Sequence, residues 1–157
     1  MSKPPDFDLA AAHKYFSAQC FNQAWELMEK TVRSEDENRL MVALNQASIY
    51  HWLQREDCND QRLSVGYWQA SRIQSLLFNA DEAIRLANAC FAHSTELNPF
   101  YLGYAHEALA RAHGLAGEST KAKENWAAAK KLAARVRSKE ERKLLEFDLQ
   151  QLAEAQE

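Results

Sequence analysis

Apolar residues recur along most of the chain at intervals of three and four, which places them on one face of an α-helix. The clearest stripe is Leu63, Tyr67, Ala70, Ile73 and Leu77. No segment alternates apolar and polar residues as a half-buried strand does, and glycine and proline occur only four and three times. Good helix formers such as alanine, leucine and glutamate are abundant. The pattern predicts an all-α fold.

Capping signals divide the chain into about eight helices. Ser34-x-x-Glu37 and Ser138-x-x-Glu141 have the spacing of a capping box, and Asn98-Pro99 pairs an N-cap residue with proline at the first helical position. We expect one helix over Asp8–Gln19 and a second over Asn22–Arg33. The predicted helices begin near Asp8, Asn22, Ser34, Asp60, Asn79, Asn98, Gly117 and Ser138.

Small and large residues alternate in a regular way in the segment from 101 to 132. It contains His106-x2-Leu109-Ala110-x2-His113, and Ala122-x3-Trp126 follows after Gly117. This spacing resembles the tetratricopeptide repeat (TPR), a helical hairpin of about 34 residues with the pattern W-x2-L-G-x2-Y followed by A-x3-F. His106, Ala110, His113 and Trp126 stand at the Trp, Gly, Tyr and Phe positions of that pattern.

Two upstream segments resemble the same repeat less completely. The first joins Asp8–Tyr15 to Ala24–Met28, and the second joins Tyr67–Gln74 to Ala83–Ala87. The steps between Ala24, Ala83 and Ala122 are 59 and 39 residues, and an extra helix separates the first two copies. The resemblance implies antiparallel hairpins stacked as a TPR-like right-handed superhelix, forming a single domain over 1–157 with 138–157 as a C-terminal capping helix. A generic helical bundle is the alternative.

The resemblance also implies a function. In TPR proteins the first helix of each hairpin lines a concave groove that binds peptide segments. The corresponding positions here are Tyr104, Glu107 and Arg111 in the third copy and His13 and Phe16 in the first. Aromatic surface with mixed charge suits an extended peptide. We therefore expect a non-enzymatic protein–protein interaction module or scaffold with a protein or peptide partner.

A second hypothesis is a small-molecule or anion-binding sensor with a pocket between hairpins. Tyr50 and His51 precede a helix that carries Trp68 and Arg72, which are four residues apart and can stack as a cation–π pair. Aromatic, basic and imidazole groups together would suit an anionic ligand. Simple packing of large aromatic residues between helices explains the same residues.

Sequence patterns for catalysis, cofactors and metals are missing. The three cysteines form no Cys-x-x-Cys pair, no His-x3-His pair occurs, and no glycine-rich phosphate loop is present. We expect no enzyme activity, cofactor or metal, and His106 and His113 are interpreted as packing residues. An enzyme that uses His51 or His106 is a third, weaker hypothesis, because no partner residue positions either base.

Charge and hydropathy indicate which partners and which location to expect for the protein. Residues 119–145 hold nine Lys and Arg against three Glu, yet the sequence pI is about 6.0. We interpret the basic run as a solvated helix face and expect no nucleic acid partner. No apolar run is long enough for a membrane span, and the N-terminal residues lack a signal-peptide core. A cytoplasmic protein is expected, and the four tryptophans leave homo-oligomerisation open.

Overall fold

A computed structural model describes residues 2–155 of the chain. These residues form seven α-helices and contain no strand. The helices are α1 Leu9–Met28, α2 Glu35–Leu53, α3 Asp60–Leu76, α4 Ala80–Ser94, α5 Pro99–Leu115, α6 Ser119–Ala133 and α7 Lys139–Glu154. The all-α prediction is confirmed. The ends of the predicted domain 1–157 and of its capping segment 138–157 lie outside the described residues. None of the described helices is long and apolar enough to cross a membrane.

The predicted first and second helices are one continuous helix, α1, so the expected break after Gln19 is wrong. The segment Cys20–Phe21–Asn22 contains neither glycine nor proline, and Asn22 is exposed on the helix surface. An exposed asparagine costs a helix interior only a fraction of a kcal/mol relative to alanine, about 0.7 at most. Both halves of the proposed first repeat copy therefore lie on α1. The hairpin in this region is formed by α1 and α2 instead.

Helices α2 and α5 begin at their predicted capping residues. The Ser34 hydroxyl accepts the Glu37 amide at 3.1 Å, and the Glu37 carboxylate accepts the Ser34 amide at 2.9 Å, as the capping box predicts. Asn98 Oδ1 accepts the Phe100 amide at 3.0 Å, and proline follows at the first helical position. Caps are local in sequence, which is why they locate helix starts well.

Two helices end on a residue with positive φ. Gly117 follows α5 with φ 76°, and the Glu118 amide donates to the His113 carbonyl at 2.9 Å. Phe78 follows α3 with φ 61°, and the Asn79 amide donates to the Gln74 carbonyl at 2.9 Å. Both are Schellman-type ends, in which a left-handed residue turns the chain away from the helix. Glycine adopts that conformation freely, whereas phenylalanine does so at a cost.

The chain divides between Asn59 and Asp60 into two compact units. The N-terminal unit is the hairpin of α1 and α2. Its buried side chains are mostly small or polar: Ser17, Cys20, Ala24, Met41, Asn45 and Ser48. The Ser48 hydroxyl donates to the Ser17 carbonyl at 2.6 Å, which ties the two helices together.

The C-terminal unit contains α3 to α7. Helices α3 and α4 form one hairpin, α5 and α6 form another, and α5 also packs on α3, α4 and α7. One core cluster lies around α4 and α5, with Ala83, Ala87, Ala108, Leu109 and Ala112. The other lies around α6 and α7, with Ala129, Ala133, Val136, Leu145 and Leu149. Alanines at the contacts keep the helix axes close, because interaxial distance depends on side-chain size.

A glycine allows α5 and α7 to touch. A Cβ atom at Gly103 would lie 2.6 Å from Leu145 Cδ2, and Leu145 itself is fully buried. Within this unit α5 therefore contacts both α3 and α7. The site described next lies on these three helices.

Candidate functional site

A buried carboxylate occupies the centre of the C-terminal unit. Glu107 on α5 has no exposed surface, and its Oε2 accepts the indole N–H of Trp68 on α3 at 2.9 Å. Its Oε1 accepts the Arg111 Nε–H at 3.1 Å and also pairs with Arg111 Nη2. A buried charge is tolerated only when it is paired and hydrogen-bonded, and these donors meet that requirement.

Arg72 on α3 is the second cation beside this carboxylate. Its Nη1 lies 3.9 Å from Glu107 Oε1, within ion-pair range but beyond hydrogen-bond length. Its Cζ lies 5.9 Å from the Trp68 ring centroid, as the four-residue spacing predicts. Burial lowers the pKa of Arg72, and the positive charge of Arg111 lowers it further. Two guanidinium groups therefore share one carboxylate, and 27% of the Arg72 side chain remains exposed.

Tyr104 extends the site to α7. Its hydroxyl donates to Asp148 Oδ2 at 2.7 Å, and its ring meets the edge of Trp68 with centroids 5.5 Å apart. Burial raises the pKa of Tyr104, and the hydrogen bond to the Asp148 carboxylate raises it further, so the phenol is neutral. We name the six residues the Glu107 cluster: Trp68, Arg72, Tyr104, Glu107, Arg111 and Asp148.

The N-terminal unit has a polar contact of its own between α1 and α2. His13 Nδ1 and His51 Nδ1 lie 2.8 Å apart, and both side chains are half-buried. One ring donates its Nδ1–H and the other accepts it. Burial lowers the pKa of His51, and the charge of His13 lowers it as well. The Phe16 and Tyr50 rings flank His51 at centroid distances of 5.5 and 5.3 Å.

Each unit brings together members of both predicted sets. In the C-terminal unit, the groove residues Tyr104, Glu107 and Arg111 join the pocket residues Trp68 and Arg72. In the N-terminal unit, the groove residues His13 and Phe16 join the pocket residues Tyr50 and His51. Glu107 has no exposed surface, so its carboxylate serves the neighbouring side chains and does not face solvent.

Sequence reasoning did not find Asp148. It lies 44 residues after Tyr104 and next to Leu149 of the apolar α7 stripe. The only available signal was a carboxylate beside an apolar stripe on the helix expected to cap the domain. That signal does not identify the partner, because the pairing depends on how α7 packs on α5.

His106 and His113 each have a hydrogen-bond partner in the structure. His106 Nδ1 is 2.9 Å from Asn125 Oδ1, and its ring meets the edge of Phe91 at a centroid distance of 5.2 Å. His113 is buried, with Nδ1 2.6 Å from Glu118 Oε2. Within residues 2–155 there is no group of three or more His, Cys, Asp or Glu side chains placed to hold a metal ion.

Comparisons with known proteins bring no assignment. No protein-family model, no curated protein and no solved structure matches the chain at a significant level. The Glu107 cluster is therefore the main structural basis for a functional proposal.

Proposed function

We propose that the protein is a non-enzymatic peptide-binding module of TPR-like organisation. Its recognition surface is the row of first helices in the C-terminal unit, α3, α5 and α7. Two features support this proposal: within the C-terminal unit the α3–α4 hairpin packs on α5, and α5 contacts both α3 and α7. In such an array the first helices form a continuous face on which an extended segment can lie.

The observation that carries the proposal is the state of Arg72. The Arg72 side chain is 27% exposed, and the closest approach of its guanidinium to Glu107 Oε1 is 3.9 Å. Arg111 already hydrogen-bonds to that oxygen through Nε. A guanidinium has five N–H donors and binds carboxylates through two parallel hydrogen bonds. A second carboxylate, supplied by a ligand, would satisfy the donors that Glu107 leaves unused.

The partner chemistry follows from this arrangement. We infer a peptide that presents a carboxylate, from an acidic side chain or a free C-terminus, to Arg72 and Arg111. Trp68 and Tyr104 are half-buried and offer ring surface beside the two cations. In this proposal Glu107 orients Arg72 and Arg111 from within the protein. It does not contact the peptide, because it has no exposed surface.

The test is a peptide array of acidic and neutral sequences with free and amidated C-termini, followed by anisotropy titration of the best binder. Arg72→Ala is expected to weaken binding at least about tenfold, the value of one charge-assisted hydrogen bond. Arg85→Ala is the matched control, because Arg85 is an exposed arginine on α4 that pairs with Glu82. Binding that is absent, or equally strong in the Arg72 and Arg85 variants, would remove the proposal.

A small-anion sensor is the second candidate, favoured by the same partly exposed Arg72. It predicts that inorganic phosphate or citrate alone raises the melting temperature of the protein, and that Arg72→Ala abolishes the increase. The peptide proposal predicts a preference for carboxylates displayed on a peptide over the free ions. A direct comparison of acetate, citrate and the best peptide therefore separates the two functions.

The location of the protein is proposed here, and homo-oligomerisation stays open. We propose a cytoplasmic protein, because Cys20, Cys58 and Cys90 form no disulfide, as is usual in a reducing compartment. Light scattering after size-exclusion chromatography would measure the oligomeric state.

A further inference from the structure

A cavity of about 750 Å³ lies between the start of α5 and the loop that joins α6 to α7. Arg135 and Arg137 of the loop line it, together with Glu141 of α7. From this arrangement we propose that the cavity binds a small phosphate monoester whose body carries hydroxyl groups. The site shares no residue with the Glu107 cluster, so the inference does not depend on the peptide-binding proposal.

The loop between α6 and α7 is held in place from the interior. Val136 is 2% exposed and belongs to the core cluster around α6 and α7. The Arg142 guanidinium donates to the Val136 carbonyl through Nε at 3.0 Å and through Nη2 at 2.5 Å. Because Val136 is fixed in the core, the residues on either side of it, Arg135 and Arg137, lie at the surface along the cavity.

The two guanidinium groups of the loop are unpaired. Within the part of the chain that the structure describes, neither Arg135 nor Arg137 has a side-chain hydrogen bond or an ion pair. Other arginines of this unit do have a carboxylate or carbonyl partner: Arg72, Arg85, Arg111 and Arg142. A guanidinium stays charged and binds phosphate through parallel hydrogen bonds. Two of them on one loop suit a phosphate monoester, which carries a charge of about −1.5 to −2 at pH 7.

The Glu141 carboxylate is available because its capping box is incomplete. The Ser138 hydroxyl accepts the Glu141 amide at 3.3 Å, but the carboxylate does not return to the Ser138 amide as the Glu37 carboxylate does at Ser34. It has no other hydrogen bond or ion pair among residues 2–155. An ionised carboxylate only accepts hydrogen bonds, so a ligand beside it needs hydroxyl donors as well as a phosphate.

The cavity has the size of a small-molecule site, for which about 300–1,000 Å³ is usual. Pro99 and Phe100, both half-buried, supply apolar surface on its α5 side for the carbon skeleton of a ligand. Ordinary solvation of two surface arginines explains the unpaired guanidinium groups without a ligand. That explanation predicts attraction of phosphate that depends only on net charge, whereas the proposed site predicts that the position of each charge matters.

The experiment titrates ribose 5-phosphate, inorganic phosphate and ribose into the full-length protein by calorimetry at fixed ionic strength. We expect one ribose 5-phosphate per chain, bound more tightly than inorganic phosphate, and ribose bound most weakly. Arg135→Gln and Arg137→Gln should each weaken ribose 5-phosphate binding at least about tenfold. Glu141→Gln should lower the ratio of the ester affinity to the phosphate affinity, because both ligands lose a repulsion and only the ester loses a charged acceptor.

Lys123→Gln is the matched control. It removes the same unit of charge from an exposed position of α6 that does not line the cavity. That position lies about 15 Å along the helix from its last residue, beyond the Debye length of about 8 Å, so the affinity should stay unchanged. Circular dichroism confirms that each variant is folded.

Three results would overturn the proposal: no binding of ribose 5-phosphate to the wild-type protein, equal losses in the Lys123 and Arg137 variants, or a loss in Arg72→Ala that matches the loss in Arg137→Gln. The last result would place the anion at the Glu107 cluster.

Discussion

Trp68 donates its indole N–H to the fully buried carboxylate of Glu107 at 2.9 Å, which links α3 to α5. The bond joins the first helices of two successive hairpins and fixes where one lies on the other. The same carboxylate holds Arg111 and lies 3.9 Å from Arg72. Glu107 therefore contributes both to the packing of α3 on α5 and to the placement of the partly exposed Arg72 and Arg111 side chains.

Glu107→Gln should destabilise the protein by about 2–4 kcal/mol. Removing one member of a buried charge network leaves the others without compensation, at a cost of about 3–5 kcal/mol when burial is complete. The arginine side chains are 27% and 20% exposed, which moves the expectation toward the lower end. Urea denaturation followed by circular dichroism would measure the change.

The control for this substitution is Glu124→Gln on α6, where the carboxylate is exposed. Surface substitutions usually change stability by less than about 0.5 kcal/mol. If the two variants unfold at the same urea concentration, the buried carboxylate does not have the structural role assigned to it.

Phe78→Gly should raise the free energy of unfolding by about 0.5–1 kcal/mol. Phe78 adopts φ 61°, which costs an ordinary residue about 1–2 kcal/mol, and its side chain is 81% exposed, so little packing is lost. The greater freedom of glycine in the unfolded chain offsets part of the gain. Thermal unfolding of the purified variant would measure it.

The reverse substitution provides the comparison. At Gly117, with φ 76°, an added Cβ would meet no heavy atom within 4 Å, so Gly117→Ala tests backbone strain alone. It should destabilise by about 1 kcal/mol. If Phe78→Gly and Gly117→Ala change the free energy of unfolding in the same direction, backbone strain at positive φ does not explain the effects.

Glu118→Gln should lower the melting temperature at neutral pH, and this effect should shrink as the pH falls below the ordinary carboxyl pKa of 4.5. The hydrogen bond from His113, and then that from Lys121, lowers the pKa of the Glu118 carboxyl below its ordinary 4.5. The stabilisation is fully present above about pH 4.5 and is lost as the pH falls through the folded-state pKa. The difference in melting temperature between wild type and variant should therefore narrow with acidification, as scanning calorimetry from pH 7 to pH 3 would show.

A matched substitution at an exposed carboxylate, Glu96→Gln on the loop after α4, should give a melting curve parallel to that of the wild type throughout this range. A gap at Glu118 that stays constant down to pH 3 would show that the charge of the carboxylate does not stabilise the end of α5.

The three thiols should react with iodoacetamide in a fixed order. Cys90 is fully buried, and burial raises its pKa to about 11, whereas Cys58 is partly exposed. Burial also raises the pKa of Cys20. The thiolate is the nucleophile, so at pH 8 Cys58 should be alkylated first and Cys90 last. Peptide mass spectrometry after timed quenching would give the order, and equal rates at Cys58 and Cys90 in the native protein would refute it.

Local features of the fold could be read from the sequence, and tertiary ones could not. The capping box at Ser34 and the Asn98-Pro99 start were found because their partners lie within three residues. The break expected before Asn22 was wrong, since a polar residue without glycine or proline does not stop a helix. Of the site, the spacing of Trp68 and Arg72 predicted their stacking.

The long-range pairings could not be predicted from the sequence. Trp68 meets Glu107 across 39 residues, and His13 meets His51 across 38. Each pairing depends on the register of one helix against another, which many side chains set together. The sequence predicts one group of residues for a peptide-binding groove and another for a ligand pocket, whereas each structural unit combines residues of both groups.

The N-terminal hairpin holds its two helices together with few buried apolar side chains, since half of its buried residues are polar: Ser17, Asn45 and Ser48 beside Cys20, Ala24 and Met41. Such a contact buries little apolar surface, so its opening free energy lies below that of the alanine- and leucine-lined core around α5. Amide protons of α1 and α2 should then exchange with deuterium sooner than those of α5. The chain would unfold in steps, with the hairpin opening while the later helices are still closed.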